Sequence, residues 1–233
     1  MRRILLSAVL IAAFELPSLA QPLPPAAEPG AKPNANPCSD EVAASLEKLR
    51  KSSWFRMNTR MITENGPVSM QVDYVLPDRM HQTVTEIAMQ KTSEVILVGD
   101  GAWSKQGADG WKPLPVQVAG QLKGQLQESV LEQQKEVGSY ACKGRTQFEG
   151  RDVFSYKLES DSEQGKPADA NQAFRMFYVD AMTGLPVSNA LLVPGHEEKP
   201  IFKTTYDFPL DLRIDPPADV VKDAAAPAAP APK

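Results

Sequence analysis

Between residues 54 and 112 the chain keeps a period of two. Phe55, Met57, Thr59 and Met61 alternate with Arg56, Asn58 and Arg60, the rhythm of a half-buried strand over 54–63. Glu64-Asn65-Gly66 follows, and Asn-Gly supplies two residues that tolerate positive φ, so the chain turns back. The returning strand carries Val68, Met70, Val72, Tyr74 and Leu76 on one face, with Ser69, Gln71 and Asp73 on the other. Pro77-Asp78 turns it again. Residues 79–89 and 92–99 predict a further pair, and Asp100-Gly101 leads into a short strand carrying Trp103. A last Asp109-Gly110 turn precedes Trp111. Five strands joined by tight turns predict an antiparallel meander.

Two stretches switch to a helical period. Val42, Leu46 and Leu49 fall at i, i+4 and i+7, one apolar stripe ending near Ser52. Ser39-Asp40-Glu41 in front of it reads as an N-cap with an acidic first turn. The second stretch is 116–136, where Val118, Leu122, Leu126 and Val130 recur every four residues among Gln, Glu and Lys. Gly120 and Gly124 interrupt it, each costing about 1 kcal/mol relative to Ala. That helix is therefore either packed very closely or mobile. The alternation then resumes, predicting strands at 139–149, 151–161, 172–180, 185–193 and 200–208. Turns fall at Glu149-Gly150 and Thr183-Gly184, and 162–171 reads as a polar loop. The sum, about ten strands and two helices, is a mainly β chain of the α+β class.

The ends do not share these periods. Arg2 and Arg3, the apolar run Ile4–Phe14 and the small residues Ser18-Leu19-Ala20 follow the order of a cleavable export signal. The run is too short to span a bilayer, which takes about 20 apolar residues. Cleavage is expected near Ala20/Gln21, and with Gln rather than Cys at 21 no lipid anchor is expected. Residues 21–37 and 216–233 are rich in Pro and Ala and poor in large apolar side chains, the composition of a solvated linker and a disordered tail. Residues 38–215 remain as a single β domain of ordinary size.

Export changes how the charges and cysteines read. Segment 1–20 holds two of the 25 basic and one of the 29 acidic residues, so the expected mature chain has 23 against 28, a net charge of −5. That argues against a nucleic-acid partner, which calls for a clustered basic surface, and against attraction to anionic lipid surfaces. No later segment is long and apolar enough to span a membrane as a helix, so the product is not expected to be membrane-integral. Cys38 and Cys142 are an even pair in an oxidising compartment, which suits a disulfide; two free buried thiols are the alternative. Their spacing fits no metal site.

Candidate chemistry is sparse. The two histidines are His81 and His196, and the latter sits in a Pro-Gly-His-Glu-Glu turn. No nucleophile elbow, zinc or calcium spacing, or phosphate-binding glycine loop is present. No catalytic residue, metal or cofactor is assigned, and no enzyme is expected. The informative feature is apolar. Met57, Met61 and Met70 share a predicted face with Phe55, Val72 and Tyr74, and Met80, Met89 and Met176 are candidates to join them. Methionine adapts to ligands of varied shape, so this wall reads either as a ligand-accepting surface or as a filled sheet core.

Three runs carry a resemblance: Val72-Asp73-Tyr74-Val75-Leu76-Pro77-Asp78-Arg79, then Glu94–Trp103, then Phe177-Tyr178-Val179-Asp180 leading to Thr183-Gly184-Leu185-Pro186-Val187. Their order resembles the LolA-like superfamily of exported lipid and lipoprotein carriers, including the LppX/LprG-type proteins, over most of 40–209. The resemblance implies an unclosed antiparallel β-barrel, a half-pipe whose open side is covered by two helices and whose hollow takes acyl chains. On this chain the hollow would be lined by Phe55, Met57, Met61, Met70, Val72 and Tyr74, with Trp103, Leu122, Leu126 and Met176 completing it. The 116–136 helix would serve as a lid. The partners implied are a lipid or lipid-modified protein and donor or acceptor proteins at the membranes, with the periplasm as location. A regulatory module that uses the same fold to bind a protein partner, and a structural protein with a filled core, are the competing expectations.

Overall fold

The computed structural model describes residues 36–132, 137–159 and 173–221. The expected signal, nearly all of the linker, the polar loop over 162–171 and the chain beyond 221 lie outside the described residues.

Helix α1 (Pro37–Arg50) leads into β1 (Trp54–Thr63), β2 (Gly66–Val75), β3 (Arg79–Glu86), β4 (Lys91–Val98), β5 (Gly101–Gln106) and the two-residue β6 (Lys112–Pro113). Helix α2 (Val116–Leu126) continues as a π-helical turn over Gln127–Leu131. Strands β7 (Tyr140–Phe148), β8 (Arg151–Leu158), β9 (Phe174–Asp180), β10 (Pro186–Leu192) and β11 (Phe202–Asp207) follow. All the strands form one antiparallel sheet in the order β6-β5-β4-β3-β2-β1-β11-β10-β9-β8-β7. The first and last strands pair at its centre, and β6 and β7 are left as edges. The sheet is thus an unclosed half-pipe with helices on one face, the class expected from the sequence.

Register fixes which residues look at the helices. Phe55 opposes Tyr74, Met57 opposes Val72, Thr59 opposes Met70 and Met61 opposes Val68. Side chains alternate across a strand, so these eight share one face, and the pairing carries that face through Tyr206, Thr204 and Phe202 of β11 into β10 and β9. The tight turn before β2 ends on Gly66 at φ +105°, a conformation glycine enters without steric cost.

Three details differ from the sequence reading. The cap of α1 is Asn36, whose side chain accepts from the Cys38 and Ser39 amides with Pro37 at the first helical position; Ser39 lies inside the helix, where its Oγ accepts from the Tyr140 amide at 2.9 Å. The α-helix from 116 ends at Leu126 and passes into the π turn, closed by the Glu132 amide on the Gln127 carbonyl. Residues 133–136 lie outside the described residues. Lastly, 216–221 are not free tail. Val220 bridges Trp111, the Val221 amide donates to the Trp111 carbonyl at 2.8 Å, and Val220 packs against the cluster formed by Ile96, Trp111 and Ile214. Composition missed this because two valines among prolines suffice to dock an extended segment on an apolar patch.

Candidate functional site: a trough between two helices

The helices sit on the wings of the sheet. Helix α1 packs on β7, β9 and β10, and α2 packs on β4 and β5. The floor between them is β1, β2 and β11. At one end Leu49 of α1 and Val130 of the π turn both reach the cluster of Phe55 and Tyr206 and close the floor over; Phe55 and Tyr74 stack there, ring centroids 4.8 Å apart. At the other end Met61, Val68 and Phe202 are only half-buried. The result is an apolar trough, roofed at the Phe55 end and open toward the β1–β2 turn.

Its floor is dry enough to shift phenols. Burial raises the Tyr74 and Tyr206 hydroxyls to about 12, since a phenolate would lose its hydration there. Two hydroxyls of the middle row pair with each other: Thr59 and Thr204 share a buried hydroxyl–hydroxyl bond of 2.7 Å. Gln82 donates to the Met70 sulfur at 3.5 Å, which orients that thioether.

The two helices are held differently. Cys38 of α1 is bonded to Cys142 of β7 with their Cα atoms 5.4 Å apart, and Asn36 donates to the Tyr140 carbonyl at 2.8 Å. Helix α2 begins on Pro115 with no side-chain cap, and an exposed Lys123–Asp100 ion pair of 2.7 Å ties it to the β4–β5 turn. Its apolar stripe meets the sheet through Ala119 and Leu126, both buried, and the half-buried Leu122, against Val72, Met80, Leu97 and Ala102. A methyl group added at Gly120 or Gly124 would meet nothing within 4 Å. These glycines therefore serve no close approach.

Of the expected lining residues, Phe55, Met57, Met61, Met70, Val72 and Tyr74 share the helix-facing side, and Leu122 and Leu126 descend onto it. Two lie elsewhere. Trp103 pairs with Ile96 on the opposite face and packs with Trp111 and Ile214. Met176 pairs with Ala190 and clusters with Leu192, Phe174 and Tyr178, also on the opposite face. Hydrophobicity misplaced both because the sheet is covered on two sides, so an apolar residue is no guide to its face. Met89 sits in the β3–β4 turn at 48% exposure, away from the wall. Met80 belongs to the wall, and Arg175 and Asn189, on the same face of β9 and β10, were not anticipated.

No family model matches the chain, and neither does any curated protein. Solved structures match it over part of its length. The lipoprotein LppX of Mycobacterium tuberculosis is 14% identical with a TM-score of 0.48, over 77% of this chain and 98% of that one. In the MucA/MucB complex of Pseudomonas aeruginosa the match is 14% identical with a TM-score of 0.39, over 73% of this chain and 55% of that one, so the chain spans about half the length of that relative. A LolA superfamily protein of Nitrosomonas europaea is 11% identical, TM-score 0.25, over 72% of this chain and 90% of its own.

A second hollow borders the open end, and Thr59, Met61 and Val68 of the trough floor are among its lining residues. About 970 Å³ in volume, it is bounded by Arg60, Ile62, Pro67, Ile87, Glu149 and Ile201, among others. The tip of the β7–β8 hairpin folds toward it: Glu149 pairs with Lys203, Arg151 with Asp207, and Phe148 stacks on Tyr178 at 4.4 Å. The bulge between Cys142 and Gly144 supplies the bend. Among the described residues no three His, Cys, Asp or Glu side chains gather as a metal site, and no helix is long and apolar enough to cross a membrane.

Proposed function

We propose that this is an exported, non-enzymatic binding protein or carrier for a lipid, an acyl chain or a lipid-modified protein, with the apolar part of the ligand laid in the trough. The observation that carries the reading is the uneven roof. Two helices cover the wings, while the Met57–Met61 floor between them stays apolar and, toward the open end, half-buried. A filled core would bury that row completely. Each CH₂ removed from water is worth about 0.8 kcal/mol, so a chain of about 16 carbons gains on the order of 12 kcal/mol by entering. Helix α2, uncapped and glycine-broken, is the movable cover. In this reading residues 1–20 direct export to the periplasm, 21–35 form a spacer and the β domain diffuses freely with its cargo.

Native mass spectrometry of protein purified from the periplasm, with extraction of bound lipid, tests this. An acylated species at near-unit occupancy is the expected result. A bare protein mass with no uptake of a fluorescent fatty acid would sink the proposal. Leu122→Glu, at a half-buried position, is expected to weaken retention more than it lowers the melting temperature.

A second reading, a module that binds a protein partner, is favoured by the other hollow, where Ile62 (62% exposed), Ile87 (48%) and Ile201 (38%) stand in the open. Under that reading Ile62→Asp with Ile87→Asp would remove the biological effect of the protein while leaving lipid uptake intact.

A further inference from the structure

The open end of the trough is a single row of the sheet. Reading the register across it gives Arg175 on β9, Leu191 on β10, Phe202 on β11, Met61 on β1, Val68 on β2 and Glu86 on β3. Four strands separate the two charges. Arg175 is half-buried, and its guanidinium carbon lies 5.8 Å from the centre of the Phe202 ring. Its charge also reaches inward: it opposes, in part, the effect of burial on the phenols of Tyr140 and Tyr206. A guanidinium partly withdrawn from water against an aromatic ring gains from an anion beside it. Among the described residues Arg175 has neither an ion pair nor a hydrogen-bond acceptor for its side chain. Glu41, the acid of α1 that reaches this face, is taken up by the Tyr156 hydroxyl.

A second unsatisfied group stands next to it. Asn189 lies two residues along β10 from Leu191, the residue that pairs with Arg175, so the two are diagonal neighbours on one face. Its Oδ1 is buried without a hydrogen-bond partner, and such an acceptor is rare in a folded chain unless something else supplies the donor. Among the described residues, a donor fork with no acceptor stands one diagonal step from an acceptor with no donor, and at the mouth of an apolar trough this is the complement of a polar head.

We propose that Arg175 is the head-group anchor of the trough and that the cargo is an anionic amphiphile, its phosphate or carboxylate on the Arg175 guanidinium. A hydroxyl or amide N–H beside that anion would meet Asn189, and the chains would run over Met57 and Val72 toward Phe55. The planar fork of arginine holds either anion through two parallel bonds. This rests on the trough being the lipid site and adds the class of lipid it selects.

Delipidated full-length protein is the material for the test, with displacement of a neutral fluorescent acyl probe as the readout. Phosphatidylglycerol and palmitate are compared with diacylglycerol and hexadecanol. The wild type should favour an anionic ligand over its neutral counterpart by about tenfold or more, as expected for a charge-assisted contact, and whichever of the two anions shows the preference identifies the source. Arg175→Gln should erase that preference, and Arg175→Lys should restore part of it; melting temperatures show that each variant is folded. Equal binding of charged and neutral ligands by the wild type overturns the anchor even if Arg175→Gln fails to fold, and so does a preference that survives in Arg175→Gln. Both of those outcomes leave the trough as a lipid site. Failure of folded wild type to bind any of the four removes the trough reading itself.

Discussion

Phe55 is 1% exposed and touches both halves of the sheet through Tyr74 and Tyr206. Phe55→Ala should cost about 3–5 kcal/mol, read as a shift in the denaturant midpoint without a change in slope. The phenols on the same floor make a pH prediction. The hydroxyls of Tyr74 and Tyr206 ionise near 10 in an unfolded chain and near 12 here. Between those values the unfolded state has lost protons that the folded state still holds, so stability falls as pH rises. The expected profile shows no contribution from these two below pH 10 and a loss from about 10 to 12. Ultraviolet titration of the phenols, native against denatured, checks it; native midpoints at 10 for both would refute it. The sequence placed Phe55 and Tyr74 together on one face because β1 and β2 alternate without a break, and it did not place Tyr206. It said nothing of Arg175, since a lone basic residue between Phe174 and Met176 looks like the solvated side of a strand.

At the scale of elements, the contrast between α1 and α2 matters most. One helix is stapled and capped, while the other is uncapped and carries two glycines with open space above them. Gly120→Ala and Gly124→Ala should each stabilise the protein by up to about 1 kcal/mol, measured by thermal or urea unfolding. If α2 is a lid, the double variant should also release a bound fluorescent acyl probe more slowly than wild type. A rise in stability with unchanged release would leave α2 as plain cover. Strand positions were legible because apolar and polar residues alternate along most of them and turn residues bound them. The facing of Trp103 and Met176 was not, and the reason is physical: Trp111 and Ile214 cover one patch of the opposite face, and a separate cluster of Met176, Ala190 and Leu192 buries another. Burial on two sides erases the signal that tells inside from outside. The π turn left no mark in the composition either, because its residues continue the polar pattern of α2.

For the molecule as a whole, the Cys38–Cys142 bond closes a separation of 104 residues. In the chain-entropy account a loop of about 100 residues is worth up to about 4.7 kcal/mol. Reduction, or Cys38→Ser with Cys142→Ser, should lower stability by a few kcal/mol and loosen α1 from β7. Mass analysis before and after reduction should differ by two hydrogens. The even cysteine count and the export signal left two alternatives, and the arrangement of α1 beside β7 selects the bond.

The strand order has a mechanical consequence. The two free edges of the half-pipe, β6 and β7, are consecutive in the chain, and the segment that joins them contains α2. The cover is therefore also a strap slung between the rims. Anything that pries the wings apart draws on the length of that strap. A helical residue yields about 1.5 Å, against more than 3 Å once extended. Paying out one turn of α2 would let the rims part by several ångströms, so a bulky guest and an uncoiled strap are expected to appear together.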